Sequence, residues 1–226
     1  MFARGLIVLL LATLPAFAGA APAEWRFEVF LNDKPIGFHR FELNTEGGEQ
    51  RLTTEASFDV KLLFITAFRY RHENTETWRN GCLTSLDATT NSNGKRLDVS
   101  GALENDAFSV THSRGSDVLD ECVQTFAYWN PSILGADRLL NSQTGEYEDV
   151  RIVREARDFV SVGDSTVEAE RYTLTAKGGD ITLWYASDDY RWLKLEAPAK
   201  GGRRIRYQPL DVPAPATFAQ LSARAD

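Results

Sequence analysis

The feature that most constrains this fold is a period-two alternation of apolar and polar residues that returns along most of the chain. In the stretch from Trp25 to Leu31, every second side chain is apolar. Because successive side chains of a strand point to opposite faces, this stretch predicts a β-strand with one dry face. Turn residues separate such stretches, and Asn80-Gly81 is a strong hairpin pattern. The chain is therefore predicted to be mainly β, with a single curved antiparallel sheet of about eleven strands that forms an open or half β-barrel.

One segment departs from this alternation. Its apolar residues recur at roughly helical spacing, at Phe126, Trp129, Ile133 and Leu134. We expect one short helix near residues 124–135, which would plug one end of the sheet. The acidic segment from Asp117 to Glu121 fits the N-terminal side of such a helix, where negative charge complements the helix dipole.

The first residues of the chain have the pattern of a targeting segment. An apolar run from Gly5 to Leu14 is followed by small residues, which predicts a secretory signal peptide over residues 1–20. Since that run is too short to cross a bilayer, we expect no transmembrane segment in the mature chain and a periplasmic or secreted location. A single β half-barrel domain is predicted over residues 21–210, with a loosely ordered tail over residues 211–226 that is rich in Pro and Ala.

Charge and cysteine content narrow the range of functions. The formal net charge of −7 argues against sequence-independent nucleic-acid binding, because that binding depends on Lys and Arg. Cys82 and Cys122 are the two cysteines of the chain, and an even pair in an oxidising compartment predicts a disulfide. The alternative, a redox or metal-binding thiol pair, lacks the usual short spacing and nearby His ligands.

The chain offers little that resembles a catalytic constellation. Its three histidines, His39, His72 and His112, fall on separate predicted strands, and no nucleophile-elbow, metal-ligand or phosphate-loop pattern accompanies them. We therefore predict no catalytic residues, no metal site and no cofactor, and the sequence favours a non-enzymatic role. An unrecognised hydrolase remains an alternative, and it would require one of these histidines beside a Ser or a carboxylate in a concave site.

Aromatic side chains are the best candidates for a ligand-facing wall, because such rings often line the mouth of a hydrophobic cleft. Each of them would also fit an ordinary sheet core. Trp184 and Tyr185 are adjacent in a strand, so at most one of the two can line a given pocket. The run from Val60 to Phe64 is apolar on both faces. This pattern fits a bent strand that is covered on both sides, or alternatively an exposed apolar surface that binds a ligand or a partner. The candidate ligand-binding residues are Tyr128, Trp129, Phe64, Trp184 and Tyr185.

Several short motifs resemble those of a known family. They are Asp180 to Tyr185, Trp192 to Glu196, Arg204 to Tyr207, Tyr128 to Asn130, Leu140 to Gly145, and the hairpin Val29 to Phe41 with its Ile36-Gly37 pair. Over nearly all of the mature chain, the sequence resembles an uncharacterised family of bacterial secreted domains of unknown function. That family is similar in architecture to the periplasmic lipoprotein carriers, whose unclosed barrel is capped by helices over an apolar cavity. The resemblance implies a half-barrel shape and supplies no assigned catalytic residues to transfer, while the scarcity of helix here argues against a full helical lid.

Three functions are consistent with these observations. The first is a periplasmic, non-enzymatic protein that binds a hydrophobic or amphipathic ligand, such as a lipid or an acyl chain, in the half-barrel. The second is an accessory subunit of an envelope complex that uses the segment from Val60 to Phe68 as a partner surface. The hydrolase is the third.

Overall fold

The computed structural model describes residues 22–62, 65–120 and 122–215, and one antiparallel sheet of thirteen strands dominates them. The other elements of these ranges are a two-stranded sheet and one 3₁₀ helix, Pro131–Gly135. The first half of the chain supplies strands β1 (Ala23–Leu31), β2 (Lys34–Glu46), β3 (Glu49–Leu62), β4 (Ile65–Arg79), β5 (Cys82–Ser92), β6 (Lys95–Glu104), β7 (Ala107–His112) and β8 (Gly115–Asp120). The second half supplies β9 (Arg138–Leu140), β10 (Tyr147–Asp149), β11 (Arg151–Val162), β12 (Ser165–Ala176), β13 (Gly179–Ala186), β14 (Trp192–Ala199) and β15 (Arg203–Asp211).

The large sheet consists of two meanders that join in its middle. Strands β1 to β8 pair in chain order, and so do β11 to β15. The two meanders meet where β1 pairs with β15, with Val29 opposite Tyr207. Strands β8 and β11 are therefore the two edges of an open sheet, and residues 122–150 connect one edge to the other. We call residues 122–150 the plug.

Asn and Gly residues form the tight turns of the meanders. Asn80 and Gly81 join β4 to β5 with φ values of 52° and 74°, and Asn93 and Gly94 join β5 to β6 in the same way. Asn and Gly adopt this left-handed conformation more readily than other residues, and its twist suits a two-residue hairpin. The hairpin predicted from Asn80-Gly81 is confirmed.

The main core lies on the concave side of the sheet. In β1, Trp25 and Phe27 are fully buried, whereas the side chains between them are more exposed. The Phe27 ring packs against Trp192 with centroids 4.5 Å apart. Val123 and Ile133 of the plug belong to the same core. A smaller apolar cluster lies on the opposite side of β11 to β14 and consists of Val160, Ala169, Trp184, Ala186 and Leu193.

The plug begins as an extended chain and not as a helix. Its buried residues alternate up to Trp129, and the Leu140 amide donates a 2.7 Å hydrogen bond to the Gln124 carbonyl of this stretch. The helix predicted near 124–135 is thus a five-residue 3₁₀ helix that begins at Pro131. Proline disfavours helical backbone in the residue before it, and the Asn130 side chain caps this start by accepting from the Ser132 amide.

The two cysteines form the predicted disulfide, which attaches the start of the plug to the sheet. Cys82 is the first residue of β5, and Cys122 is the first residue of the plug. A 2.9 Å hydrogen bond from the Leu83 amide to the Val123 carbonyl lies beside the bridge. The bridge ties the plug to the hairpin after Asn80-Gly81.

Two further predictions about the sheet need correction. The sheet has thirteen strands and not about eleven. The acidic segment after Gly115 does not precede a helix; it forms most of β8, in which Val118 pairs with Ser109. Its charges suit this position, because charged side chains on an edge strand hinder unwanted pairing with other strands.

The ends of the predicted domain can be compared only in part with the structure. Strand β15 runs to Asp211, and Val212 packs against both apolar clusters. The predicted signal peptide and the last residues of the predicted tail, 216–226, lie outside the described residues. In the part of the chain that the structure does describe, we find no helix with the length and apolar character needed to cross a membrane.

Candidate functional site

A cavity of about 650 Å³ lies between the concave face of the sheet and the plug. This volume is within the range of small-molecule pockets, about 300–1,000 Å³. Strands β2, β3 and β4 form one wall, β12 to β15 form another, and the plug contributes the third. The apolar side chains that line it include Phe41, Leu52, Phe58, Trp129, Leu195 and Ile205.

Aromatic rings form a continuous surface on the side of β2, β3 and β4. Phe58 and Tyr70 face each other across β3 and β4, with stacked rings 5.2 Å apart. The His39 ring stacks on Phe41 at 4.1 Å. Burial raises the pKa of the Tyr70 phenol, so this side chain is uncharged at neutral pH.

Polar side chains occupy the middle of β4 on the same face as Tyr70. His72, Asn74 and Glu76 alternate along the strand, and all three are buried. The His72 Nδ1 atom lies 2.8 Å from the Thr90 hydroxyl oxygen. Burial lowers the pKa of His72 to about 4, so its imidazole is neutral at pH 7.

Glu76 connects this row to the plug. Its Oε1 accepts a 2.9 Å hydrogen bond from the Asn74 amide, and its Oε2 accepts from Trp78 Nε1 at 3.0 Å and from the Thr125 hydroxyl at 3.2 Å. Burial raises the pKa of the Glu76 carboxyl, and the three donors act in the opposite direction. Within residues 22–62, 65–120 and 122–215, no Lys or Arg forms an ion pair with Glu76. These donors therefore compensate in part for burying the carboxyl group.

His39 joins the two strand walls of the cavity. Its Nδ1 lies 3.0 Å from the hydroxyl oxygen of Tyr207 on β15. Burial, with a smaller electrostatic effect of His72, lowers the pKa of His39 well below its usual value, so this imidazole is also neutral at pH 7. The cavity thus combines apolar walls with polar groups, and both of its imidazoles are neutral at pH 7.

The five predicted ligand-binding residues have different locations. Tyr128 and Trp129 line the cavity from the plug. Tyr185 is fully buried and donates a 2.9 Å hydrogen bond to the Tyr128 carbonyl, so it supports the plug from beneath. Trp184 lies on the opposite side of the sheet, where its Nε1 donates to Asp158. The prediction that Trp184 and Tyr185 face opposite sides is confirmed, and Phe64 lies outside the described residues.

Most of the polar lining was not predicted from the sequence, including Thr54, His72, Asn74 and Glu76. The alternation of β4 contained the information needed. Tyr70 and Trp78 share the parity of His72, Asn74 and Glu76, and two aromatic residues of one parity mark the inward face of a strand.

The three histidines have different hydrogen-bonding partners. His39 and His72 contact Tyr207 and Thr90, respectively, and no carboxylate hydrogen-bonds to either ring in the described ranges. His112 lies 2.9 Å from an Asp117 carboxylate oxygen, but this pair is outside the main cavity. Among the residues that the structure describes, no hydroxyl group contacts His112, and no group of three or more potential ligands could hold a metal ion.

Comparison with known proteins supports the fold and the family. A solved structure described as a beta-barrel-like protein of the domain of unknown function DUF1849, from Brucella abortus, superposes with a TM-score of 0.59 at 10% sequence identity. The similarity covers 87% of this chain and 99% of that one. At this identity the likeness extends to the fold alone. A comparison with curated proteins returns no match.

The sequence itself matches a family profile over residues 27–210, and the profile describes a domain of unknown function, DUF6134. The match begins within β1, ends within β15 and includes the whole plug. It confirms the expected relation to an uncharacterised family, and the chain belongs to the DUF6134 family of domains of unknown function.

Proposed function

We propose that this protein binds a hydrophobic or amphipathic small molecule, such as a lipid or an acyl chain, in the cavity between the sheet and the plug. The observation that carries this proposal is the cavity of about 650 Å³ with aromatic and aliphatic walls. Protein interiors are normally packed without voids of this size. An apolar ligand would gain from leaving water for these walls, by roughly 25 cal/mol for each Å² of apolar surface that it buries.

The place of action that we propose is the periplasm or the cell exterior. Support comes from the disulfide between Cys82 and Cys122, since disulfides persist mainly in oxidising compartments. The predicted signal peptide would direct the chain to the same place. An aqueous compartment is also where a carrier of apolar molecules would be useful.

The direct test is solvent extraction of the purified full-length protein, followed by mass spectrometry. A176W should reduce the extracted ligand, because Ala176 is half-buried at the cavity wall and a large ring there would fill space. T175W is the matched control, since Thr175 is exposed on the other face of β12. We expect the wild type and T175W to release the same lipid or acyl-chain compound. A176W should release little of it.

A second measurement uses the neutral fluorescent probe N-phenyl-1-naphthylamine, whose emission rises in apolar surroundings. We expect saturable binding by the wild type and T175W and weak binding by A176W. The proposal is wrong if the wild type releases no apolar molecule and also fails to bind the probe.

A further inference from the structure

Four buried polar atoms of the cavity lining have no hydrogen-bond partner among the described residues. They are His39 Nε2, Thr54 Oγ1, Asn74 Oδ1 and Trp129 Nε1. The described part of the chain contains eight such side-chain atoms, so half of them belong to this one lining. Buried polar atoms are almost always hydrogen-bonded, and their concentration at one place points to a ligand that bonds to them.

The sheet register brings three of these residues together. Thr54 of β3 is directly opposite Asn74 of β4, and it is also directly opposite Phe41 of β2. His39 is the next residue along β2 on the same face as Phe41. Side chains directly opposite each other have Cβ atoms about 5 Å apart, and diagonal neighbours are about 7–8 Å apart. One small polar group can therefore lie between Thr54 and Asn74, and His39 is diagonal to Thr54 on the same face.

Trp129 approaches the same region from the plug. Its ring meets the Trp78 ring edge-on, with centroids 5.7 Å apart. Trp78 donates its indole N–H to Glu76, whose other carboxylate oxygen accepts from Asn74. Trp129 also lines the cavity, so a polar group bound by its N–H and by the sheet residues would lie between the sheet and the plug.

The bonding capacity of the four atoms indicates the chemistry of that group. Because the Asn74 amide nitrogen donates to Glu76, its Oδ1 is left as an acceptor, and the Trp129 N–H can only donate. Thr54 can do either. His39 Nε2 donates or accepts according to the tautomer that its bond with Tyr207 selects. A matching ligand group must contain both a donor and an acceptor.

The charges around the cavity disfavour an anion. Lys177 is the one Lys or Arg among the described lining residues, and it is exposed and paired with Glu146 at 3.0 Å. Glu76 and Glu148 are also in the lining. A carboxylate or phosphate bound at Thr54 and Asn74 would be buried beside Glu76 without a counter-charge, which is energetically costly.

The rest of the strands provides a place for an apolar chain. From Thr54 and Asn74, the inward side chains of β3 and β4 lead to the stacked pair Phe58 and Tyr70 and then to Phe68. Phe68 is 37% exposed, so this surface extends from the buried polar atoms to solvent. The cavity therefore has a polar region and an adjoining aromatic region.

We propose, building on the ligand-binding function above, that the ligand is a neutral amphiphile. Its uncharged head, a hydroxyl or a primary amide, donates a hydrogen bond to Asn74 Oδ1 and accepts from the Thr54 hydroxyl and the Trp129 N–H. Its apolar chain lies along Phe58, Tyr70 and Phe68.

The test is displacement of N-phenyl-1-naphthylamine from the full-length protein by dodecanol, dodecanamide and dodecanoate, at about pH 8 where the carboxylate is ionised. These ligands share a chain length and differ in the head group. We expect dodecanol and dodecanamide to bind at least about tenfold more tightly than dodecanoate, as the loss of head-group hydrogen bonds and an unpaired buried charge would require.

The T54V variant tests the head-group contact itself. It removes the hydroxyl and keeps the side-chain shape, and it should fold because that hydroxyl bonds to no described residue. We expect about tenfold weaker binding of dodecanol with unchanged probe binding. T53V is the matched control, since Thr53 is exposed on the other face of β3, and its affinities should equal those of the wild type.

The outcomes separate the two proposals. If the probe does not bind the wild type, the ligand-binding function fails. If the probe binds but the three ligands compete equally, or dodecanoate competes best, the ligand-binding function stands and the neutral head group is wrong. Equal effects of T54V on dodecanol and on the probe would also overturn the head-group contact.

Discussion

Gly37 is a position in the sheet where an added side chain would collide with the backbone of the neighbouring strand. It has a φ of +149° in β2, and a Cβ atom there would lie 1.8 Å from the Ser57 carbonyl oxygen of β3. We expect G37A to lower the free energy of unfolding by at least about 2 kcal/mol, because backbone would have to move. Urea unfolding measures this. G178A is the control, since nothing lies near its added methyl group, and equal stability of both variants would contradict the prediction.

A comparison of Trp78 with Trp129 distinguishes the contribution of packing to stability from that of hydrogen bonding. Both indoles are buried and they contact each other, but Trp78 donates to Glu76 while Trp129 has no partner among the described residues. We expect W78F to cost about 2 kcal/mol more unfolding free energy than W129F, because it removes a donor from a buried carboxyl group. Denaturant unfolding of both variants tests this. Equal losses would show that the Glu76 bond contributes little.

At the scale of elements, the disulfide that attaches the plug to β5 can be removed by mutation or by reduction. Cys82 and Cys122 are 40 residues apart, so the bridge closes a long loop in the unfolded chain. The chain-entropy model predicts that C82S/C122S lowers the free energy of unfolding by about 4 kcal/mol. Urea unfolding without reductant measures the loss, and the reduced wild type should match the variant. A variant as stable as the oxidised wild type would refute this expectation.

The plug itself shows how far a local pattern can be interpreted. The spacing of Phe126, Trp129 and Ile133 fits a helix, yet the chain pairs with the segment at Leu140 and then turns, with the Asn130 amide donating to the Ala127 carbonyl. The 3₁₀ helix begins only at Pro131, because proline disfavours helical backbone in the residue before it. Tertiary pairing thus outweighs a helical spacing of four apolar residues.

At the scale of the whole molecule, the buried histidines make stability depend on pH. The pKa of His72 is about 4 in the folded protein and about 6.5 when exposed, so above pH 6.5 the neutral form dominates in both states. As pH falls from 6.5 to 4, the His72 imidazole binds a proton in the unfolded chain but not in the folded protein. This difference at His72 alone should lower the free energy of unfolding by about 3 kcal/mol. His39 acts in the same direction.

Other groups also affect this pH range. Burial raises the pKa of Glu76 above its usual value of 4.5, so the unfolded chain releases that proton first. The contribution of Glu76 to the free energy of unfolding therefore falls as pH rises above 4.5, opposite to that of His72. Replacing His72 isolates its own effect: we expect H72Q to lose less stability than the wild type between pH 6.5 and 4. Urea unfolding at several pH values tests this, and parallel curves for the two proteins would disprove it.

Much of the fold could be predicted because its determinants are local. Alternation in β1 identifies the dry face, Asn80-Gly81 identifies a hairpin, and the two cysteines identify a bridge. The cavity was harder to predict. Tyr128 and Trp129 do line it, whereas Trp184, an equally plausible aromatic residue, is on the other side of the sheet. Alternation separates Trp184 from Tyr185 but does not tell which of the two faces inward.

The sequence by itself determined that this chain forms antiparallel strands, where most of them turn, and which face is dry in a clearly alternating strand such as β1. These properties depend on residues that are close along the chain. Tertiary structure alone decided that β1 pairs with β15, that β8 and β11 are the edges, and that the plug spans the space between them. It also brought His39, Thr54 and Asn74 together around one cavity. Pairing between distant strands depends on the packing of the whole sheet, and no local pattern records which strands will meet.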